Sequence, residues 1–140
     1  MTLGRKNAMN QYGSVATVSE TGYASQHRLV QMLMEGVLDK MSIAKGQMLR
    51  KDYEGKGKQI TTAMSIIAAL KGSLDLDLGG EIALNLDDLY AYITGRLIDA
   101  NVENSVEAID EVSSLITQIK VAWDSMPDNV KSPSKTAQNN

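Results

Sequence analysis

Apolar residues recur at spacings of three and four in four separate segments of the chain, the period of a helix with one apolar face. The first segment carries Val30, Leu33, Val37, Met41, Ala44 and Met48. The second carries Ile60, Ala63, Met64, Ile67, Leu70 and Leu74. The third carries Ile82, Leu86, Leu89, Ile93, Leu97 and Ala100, and the fourth Ile109, Val112, Ile116, Ile119 and Trp123. Because each apolar stripe must be buried, the pattern predicts an all-α, antiparallel up-and-down four-helix bundle.

Helix-capping and helix-breaking residues set the expected limits of the first two helices. Ser25 is a suitable N-cap for the first helix, which we expect to end near Lys51. The run Gly55–Lys58 is rich in Gly and Lys, lacks the spacing of a phosphate-binding loop, and is predicted to be a flexible linker. Leu74–Leu78 alternates apolar and acidic residues, a pattern that a short strand also shows. Because a lone strand would have no partner in an otherwise helical chain, we expect a loop that buries its leucines.

The boundary between the third and fourth helices also has a sequence signal. Ala100 and Asn101 are predicted to form a turn, and Asn104 followed by Glu107 is typical of a capping box. Residues 25–126 are therefore expected to form the bundle. Residues 1–24 are predicted to be a mobile N-terminal segment, and residues 127–140 a disordered tail.

Composition and charge exclude several classes of function. The chain has 140 residues, no Cys, and a pI of about 5.1, so thiolate sites are impossible and a nucleic-acid-binding surface is not indicated. Residues 1–74 contain ten Lys/Arg and five Asp/Glu, and residues 75–140 contain four and twelve, giving +5 and −8. Ordinary solvated helix faces account for this asymmetry. The longest apolar run has five residues, so neither a signal peptide nor a membrane span is expected.

Catalytic chemistry finds little support in the sequence. His27 is the one histidine, which excludes a di-metal bundle with two Glu-x-x-His pairs. A phosphotransfer bundle needs a mid-helix histidine, whereas His27 begins a helix. We therefore expect no enzyme activity, no cofactor and no metal site. A phosphotransfer or adaptor bundle in signalling remains the alternative.

The third helix carries a second apolar stripe on the side away from its core stripe. Leu84, Ala91 and Ile98 lie seven residues apart, and the bundle's own core cannot reach them. The first helix also has a second apolar edge. Together the two edges predict a surface that binds another chain, with Asn85 able to bond its backbone. The predicted partner-binding residues in the two helices are Leu29, Met32, Gly36, Ile43, Leu84, Asn85, Ala91, Gly95 and Ile98.

Several motifs are more specific than an amphipathic helical bundle requires. The first helix contains Leu29-Val30-Gln31-Met32-Leu33-Met34-Glu35-Gly36. Further motifs are Ser73-Leu74-Asp75, Gly79-Gly80-Glu81-Ile82-Ala83-x-Asn85-Leu86-x-x-Leu89-Tyr90-x-Tyr92, Leu97-x-x-Ala100-Asn101, Glu111-Val112 and Trp123. In this order the motifs resemble the FliS family, the flagellar secretion chaperones of flagellin, whose first-helix motif is Leu-Ile-x-Met-Leu-aromatic-Glu/Asp-Gly. The chain departs from the family at Tyr23-Ala24-Ser25-Gln26, where the family reads Thr/Ser-Ala-Ser-Pro.

The resemblance implies a cytoplasmic, non-catalytic protein that binds the C-terminal helical segment of flagellin. It would prevent premature polymerisation and aid delivery to the flagellar type III export apparatus. In the family an N-terminal segment covers part of the apolar surface when the client is absent, and Tyr12 matches its usual tyrosine, which adds Tyr12 to the partner-binding residues. The export apparatus and a flagellar regulatory protein are further expected partners. No nucleic acid or membrane is expected, and the chain is predicted to be a monomer or a weak homodimer.

Overall fold

The computed structural model describes residues 22–77 and 79–126, with side chains from Gln26 onward. Within these ranges the chain forms four helices, which confirms the predicted fold class. They are α1 (Gly22–Leu49), α2 (Tyr53–Gly72), α3 (Gly80–Glu103) and α4 (Val106–Ser125). Each helix packs against the next in sequence, and α4 packs back against α1, so α1 and α3 occupy opposite corners. The predicted mobile segment up to residue 21, with Tyr12, and the predicted tail from residue 127 lie outside the described residues.

The helix ends show where local sequence signals mislead. α1 begins at Gly22, so Ser25 lies inside the helix and is not its cap. The predicted linker Gly55–Lys58 is also wrong, because Asp52 caps α2 by accepting a hydrogen bond from the Gly55 backbone N–H at 3.1 Å. The connection from α1 is short and tight. Lys51 adopts a φ of 65°, and the Asp52 N–H donates to the Gln47 carbonyl at 2.8 Å.

The boundary between α3 and α4 lies later than the sequence predicts. α3 continues through Asn101 to Glu103, where Asn104 ends it in the left-handed conformation with a φ of 53°. Asn104 is therefore a C-terminal cap, and the predicted capping box is wrong. Ser105 is the N-cap of α4, and its hydroxyl accepts a hydrogen bond from the Ala108 N–H at 3.0 Å. Both Asn and Ser have side chains suited to cap positions, so the sequence alone did not separate their roles.

The connection between α2 and α3 is a turn and not a strand, as expected. Leu74 packs against the core, but Leu76 is 42% exposed, so the expectation that this segment buries its leucines is wrong for Leu76. Leu78 lies outside the described residues. The Asp75 carboxylate accepts a hydrogen bond from the Asp77 N–H at 3.1 Å, a side-chain turn that directs the chain toward α3.

The apolar core lies between the four helices and consists mainly of aliphatic residues. All six predicted core residues of α1 are buried, and so are the first four predicted for α4. The predicted core residues that are only partly buried, and that pack against this core, are Met64, Leu74, Leu86, Leu89 and Trp123. Burial of each large aliphatic side chain stabilises the fold by about 1.5–3 kcal/mol.

Ile82 is the predicted core residue that the structure contradicts, since its side chain is 60% exposed. The core of α3 follows a seven-residue repeat through Ala83, Tyr90 and Leu97, all of which are buried. Packing against neighbouring helices follows a 3.5-residue repeat, in place of the 3.6 residues per turn of an isolated helix. Ile82 therefore falls one position outside the core, where Leu89 is half-buried.

Lys56 is buried, although it lies in the segment predicted to be a linker. Its ammonium donates to the carbonyl of Asn101 at 2.8 Å and to the side-chain oxygen of Asn101 at 2.9 Å. Asn101 lies in the last turn of α3, where backbone carbonyls lack helical partners and the helix dipole favours a cation. Burial lowers the pKa of Lys56. The lysine therefore joins the start of α2 to the end of α3.

Lys56→Ala should lower the free energy of unfolding by about 1–3 kcal/mol, because two part-buried oxygens of Asn101 lose their donor. Urea unfolding followed by circular dichroism measures the change. Lys58→Ala, at an exposed position in the same turn, is the matched control and should have little effect. Equal stabilities of the two variants would contradict this role for Lys56.

The Tyr90 side chain is 2% exposed, and burial raises its pKa to about 12. The unfolded chain ionises this tyrosine near its ordinary pKa of 10.0, whereas the folded chain keeps the proton. Between these values the unfolded state binds fewer protons than the folded state. Stability must therefore fall as the pH rises above 10.

Tyr90→Phe should flatten this alkaline loss of stability. In the unchanged protein Tyr90 contributes a decrease that approaches about 1.4 kcal/mol for each pH unit between pH 10 and 12. The phenylalanine variant keeps every other titrating group, so the difference between the two slopes isolates Tyr90. Urea unfolding at pH 9, 10, 10.5 and 11 provides the comparison, and parallel curves would contradict the assignment.

Candidate functional site

A continuous stripe of surface residues runs along α3 on the side opposite its core residues. Its members lie at spacings of four and three, so α3 has a second seam of the kind that packs against another helix. All six are exposed, with Leu84 51%, Ile98 48% and Val102 74% exposed. We call this stripe the α3 outer face, which consists of Leu84, Asp88, Ala91, Gly95, Ile98 and Val102.

Polar contacts border the α3 outer face on both sides. Toward α2, Asp87 pairs with Lys71 at 2.8 Å. Toward α4, the Arg96 guanidinium contacts Glu111 at 2.7 Å, and the Tyr92 hydroxyl also donates to Glu111. The hydrogen bond from Tyr92 lowers the pKa of Glu111, and the bond from Arg96 adds to this effect. The bond between Tyr92 and Glu111 also raises the pKa of Tyr92. These contacts keep α3 in register with its neighbours and leave the stripe between them uncovered.

The centre of the α3 outer face consists of the small residues Ala91 and Gly95. A Cβ atom built on Gly95 would meet no heavy atom within 4 Å apart from its chain neighbours and the nearby backbone of its own helix. A partner helix can therefore approach the backbone of α3 more closely here than at Leu84 or Ile98. The free protein has no packing reason for a glycine at this point, although glycine weakens a helix interior.

Gly95→Ala should raise the free energy of unfolding by about 0.5–1 kcal/mol, because alanine favours the helix and its methyl group enters open space. Thermal melting measures the shift. Gly55→Ala is the contrasting change, since its Cβ would lie 2.5 Å from the Asp52 carboxylate, and it should destabilise the protein. A lower melting temperature for Gly95→Ala would show that the position is constrained within the monomer.

The predicted edge of α1 is more buried than that of α3. Leu29 is half-buried and packs against the core, and Met32 and Gly36 are also only partly exposed. Ile43 is 41% exposed. We call these four residues the α1 edge. Its accessible part is therefore centred on Met32, Gly36 and Ile43, with Leu29 contributing mainly to the bundle.

The α1 edge and the α3 outer face lie on either side of α2 and do not form one groove. On α3, Leu84 and Ile98 lie one turn from Asp87 and Asn101, which contact α2. On α1, Ile43 lies one turn before Gln47, whose backbone carbonyl accepts from Asp52. The α4-facing side of α1 is elsewhere, marked by the 2.9 Å pair of Lys45 with Asp110 on α4. The structure therefore places the two apolar surfaces beside α2.

The outward side of α2 between these surfaces carries only short side chains near its middle. The residues on this outward side are exposed or half-buried, and they are Thr61, Thr62, Ser65 and Ala68. A segment bound on one apolar surface could cross α2 to the other without meeting a long side chain. This crossing has no direct sign in the sequence, because the relation of the two surfaces depends on how three helices pack.

Asn85 lies beside the α3 outer face, and Asp88 and Val102 belong to it without having been predicted. Asn85 is exposed and borders the α3 outer face on the α4 side. Val102 and Asp88 belong to the stripe but were not among the predicted residues. The spacing of four from Ile98 to Val102 and from Leu84 to Asp88 continues the pattern, so a search for both seam positions would have found them.

His27 belongs to the packing at one end of the bundle. Its ring lies 5.6 Å from that of Trp123, measured between ring centroids, and the Trp123 indole N–H donates to the His27 carbonyl at 3.1 Å. In the described part of the chain, no three His, Cys, Asp or Glu side chains are grouped to hold a metal ion. Nor does any helix in residues 22–77 and 79–126 have the length and apolar content that crossing a membrane requires.

Comparison with known proteins identifies the family. The sequence model of a family described as "Flagellar protein FliS" matches residues 8–130, which is most of the chain. The chain belongs to the FliS family. Its FliS relatives include the flagellar secretion chaperone FliSB of Pseudomonas aeruginosa, which is 43% identical over 117 residues, covering 84% of this chain and 93% of the relative.

Two further FliS relatives extend the comparison. The flagellar secretion chaperone FliS of Vibrio cholerae is 34% identical over 122 residues, covering 87% of this chain and 90% of the relative. That of Salmonella typhimurium is 37% identical over 118 residues, covering 84% and 87%. The resemblance found in the sequence motifs is therefore confirmed. FliS proteins are chaperones and not enzymes, and membership gives this chain a chaperone role in flagellar export.

Proposed function

We propose that this FliS-family chain binds the C-terminal helical segment of flagellin in the cytoplasm. By covering that segment it prevents premature polymerisation, and it delivers the subunit to the flagellar type III export apparatus. The observation that carries this proposal is the exposed α3 outer face together with the partly exposed α1 edge, which lie on either side of α2. The chaperone names of the FliS relatives support it.

The physical basis of the proposal is the pairing of apolar helix faces. Flagellin helices that pack against neighbouring subunits in a filament have apolar faces that are uncovered before assembly. Such faces promote aggregation unless another protein covers them. An exposed helix face with aliphatic residues at spacings of three and four is suited to receive an amphipathic helix. The α3 outer face offers this, with Leu84 two turns before Ala91 and Ile98 one turn after Gly95 as anchors.

The arrangement of the surfaces implies how the client lies. Since α2 separates the α1 edge from the α3 outer face, a single straight helix cannot cover both. We propose that flagellin binds in at least two short helical pieces joined by a stretch that crosses the short side chains of α2. This accounts for recognition of a segment, rather than of a folded domain, and predicts a one-to-one complex.

The remaining partners belong to the same proposal. The export apparatus and a flagellar regulatory protein would contact the chain while the client is bound or after its release. Surfaces away from α2, such as the α4 side, stay available to them. The free chain would be a monomer or a weak homodimer.

Ile98→Asp and Met32→Asp should each weaken binding of the flagellin C-terminal segment by at least about thirtyfold, as expected for central apolar anchors. Isothermal titration calorimetry measures the affinity. Helical content and melting temperature should change little for Ile98→Asp, because this side chain is 48% exposed.

Val121→Asp is the matched surface control, since Val121 is 63% exposed on α4, away from both surfaces, and its replacement should leave binding intact. Val37→Asp and Ile116→Asp are core controls that should unfold the bundle, because both residues are fully buried and a buried carboxylate is costly. Normal binding by both Ile98→Asp and Met32→Asp would refute the proposed surface.

A further inference from the structure

The α3 outer face contains one charged residue, Asp88, among five apolar or small ones. Its neighbours in the helix have partners: Asp87 pairs with Lys71, and Asp99 pairs with Arg96 at 2.9 Å. The Asp88 carboxylate is exposed and makes no hydrogen bond or ion pair with any other residue that the structure describes. In the free protein, water solvates this carboxylate, so the charge carries no desolvation penalty.

Docking of a helix on this face changes the solvation of the Asp88 carboxylate. The face extends over 19 residues from Leu84 to Val102, or about 27 Å of helix. Asp88 lies inside that length, one turn from Leu84 and one turn from Ala91, so a helix that contacts both removes water from its carboxylate. Removing an unpaired carboxylate from water costs several kcal/mol of binding free energy. This cost exceeds the free energy gained by burying one neighbouring apolar side chain.

We propose that the segment docking on the α3 outer face is an amphipathic helix with one Lys or Arg within its apolar stripe, and that this cation pairs with Asp88. The inference rests on the proposed function, since the segment is the flagellin client. It adds a chemical requirement that exposure of apolar residues alone does not impose. The pair supplies specificity, because a helix with an uninterrupted apolar stripe would leave Asp88 buried without a partner.

The charges around the face favour a basic partner over a second copy of this chain. α3 carries Glu81, Asp87, Asp88, Asp99 and Glu103, with Arg96 as its one basic residue. Glu81 and Glu103 are exposed near its two ends, like Asp88, and neither has a described ion-pair partner. Pairing of two α3 outer faces would bring these acids together, whereas a helix with Lys or Arg meets opposite charge.

The position of Asp88 also sets the register of the client. A single polar residue in an otherwise apolar seam fixes how two helices align, because any shifted alignment buries it without its partner. Ala91 and Gly95 admit the closest approach, and Asp88 precedes Ala91 by one turn. The client cation must therefore lie about one turn from the bulky residue that packs over Ala91 and Gly95.

Asp88→Leu and Asp88→Asn test the inference with the flagellin C-terminal segment in calorimetry. Both variants should bind about tenfold more weakly or worse, because each leaves the client cation buried without its partner. Asp88→Leu is the sharper variant, since it completes the apolar stripe. Equal or tighter binding by Asp88→Leu would overturn the inference, because it would show that the client's stripe is apolar opposite this position.

Three comparisons make the result specific. Glu107→Leu replaces an exposed acid on α4 with leucine and should bind normally. Size-exclusion chromatography at the assay concentration must show that Asp88→Leu elutes with the unchanged protein. Asp88→Lys should weaken binding further, and replacing one client Lys or Arg with Glu should restore it. Failure of every such client replacement to restore binding would also count against the pair.

The test separates this inference from the function on which it rests. Loss of binding in Ile98→Asp, together with unchanged or tighter binding in Asp88→Leu, would retain the client surface and overturn only the ion pair. Unchanged binding in Ile98→Asp and Asp88→Leu alike would overturn both the surface and the pair.

Discussion

The seven-residue repeat of buried residues in α3 is the constraint on which the rest of the structure depends. Ala83, Tyr90 and Leu97 pack inward because neighbouring helices impose a 3.5-residue repeat on the contact. This packing turns the residues one position further along toward solvent, and these are Leu84, Ala91 and Ile98. The core and the candidate surface are therefore set together. A rotation of α3 by one residue would exchange apolar core contacts for exposed ones and remove the α3 outer face.

The ends of the helices depend on a few side chains that pair with backbone groups. Lys56 contacts the last turn of α3, and Asp52 and Ser105 cap α2 and α4. The exposed ion pairs between helices, such as Lys71 with Asp87, add little stability because water screens them. They fix which sides of the helices face each other. Lys45 and Lys71 of the basic first half meet Asp110 and Asp87 of the acidic second half in such pairs.

The sequence predicted the fold class and most core positions, whereas the arrangement of the candidate surfaces depended on how the helices pack. The core stripes of α1 and α4 were predictable because each is the longest run of apolar residues at spacings of three and four in its helix. Ile82 was misplaced because α3 has apolar residues on two sides, and periodicity alone does not choose between adjacent rows. The segment Gly55–Lys58 has the composition of a loop, which is why its helical structure was not predicted. Asn101, the hydrogen-bond partner of Lys56, lies 45 residues away in sequence and gives no local signal. The position of the α1 edge across α2 from the α3 outer face depended on helix packing and had no local signal.

The contact between Trp123 and the start of α1 gives the molecule a built-in optical reporter. Trp123 is the one tryptophan of the chain, it is half-buried, and its indole N–H is bonded to the His27 carbonyl. Indole emission depends on the polarity around the ring, so fraying of the first turns of α1 away from α4 would shift the fluorescence toward the red. Intrinsic fluorescence thus reads the opening of this end of the bundle separately from the melting of its core, with no attached dye.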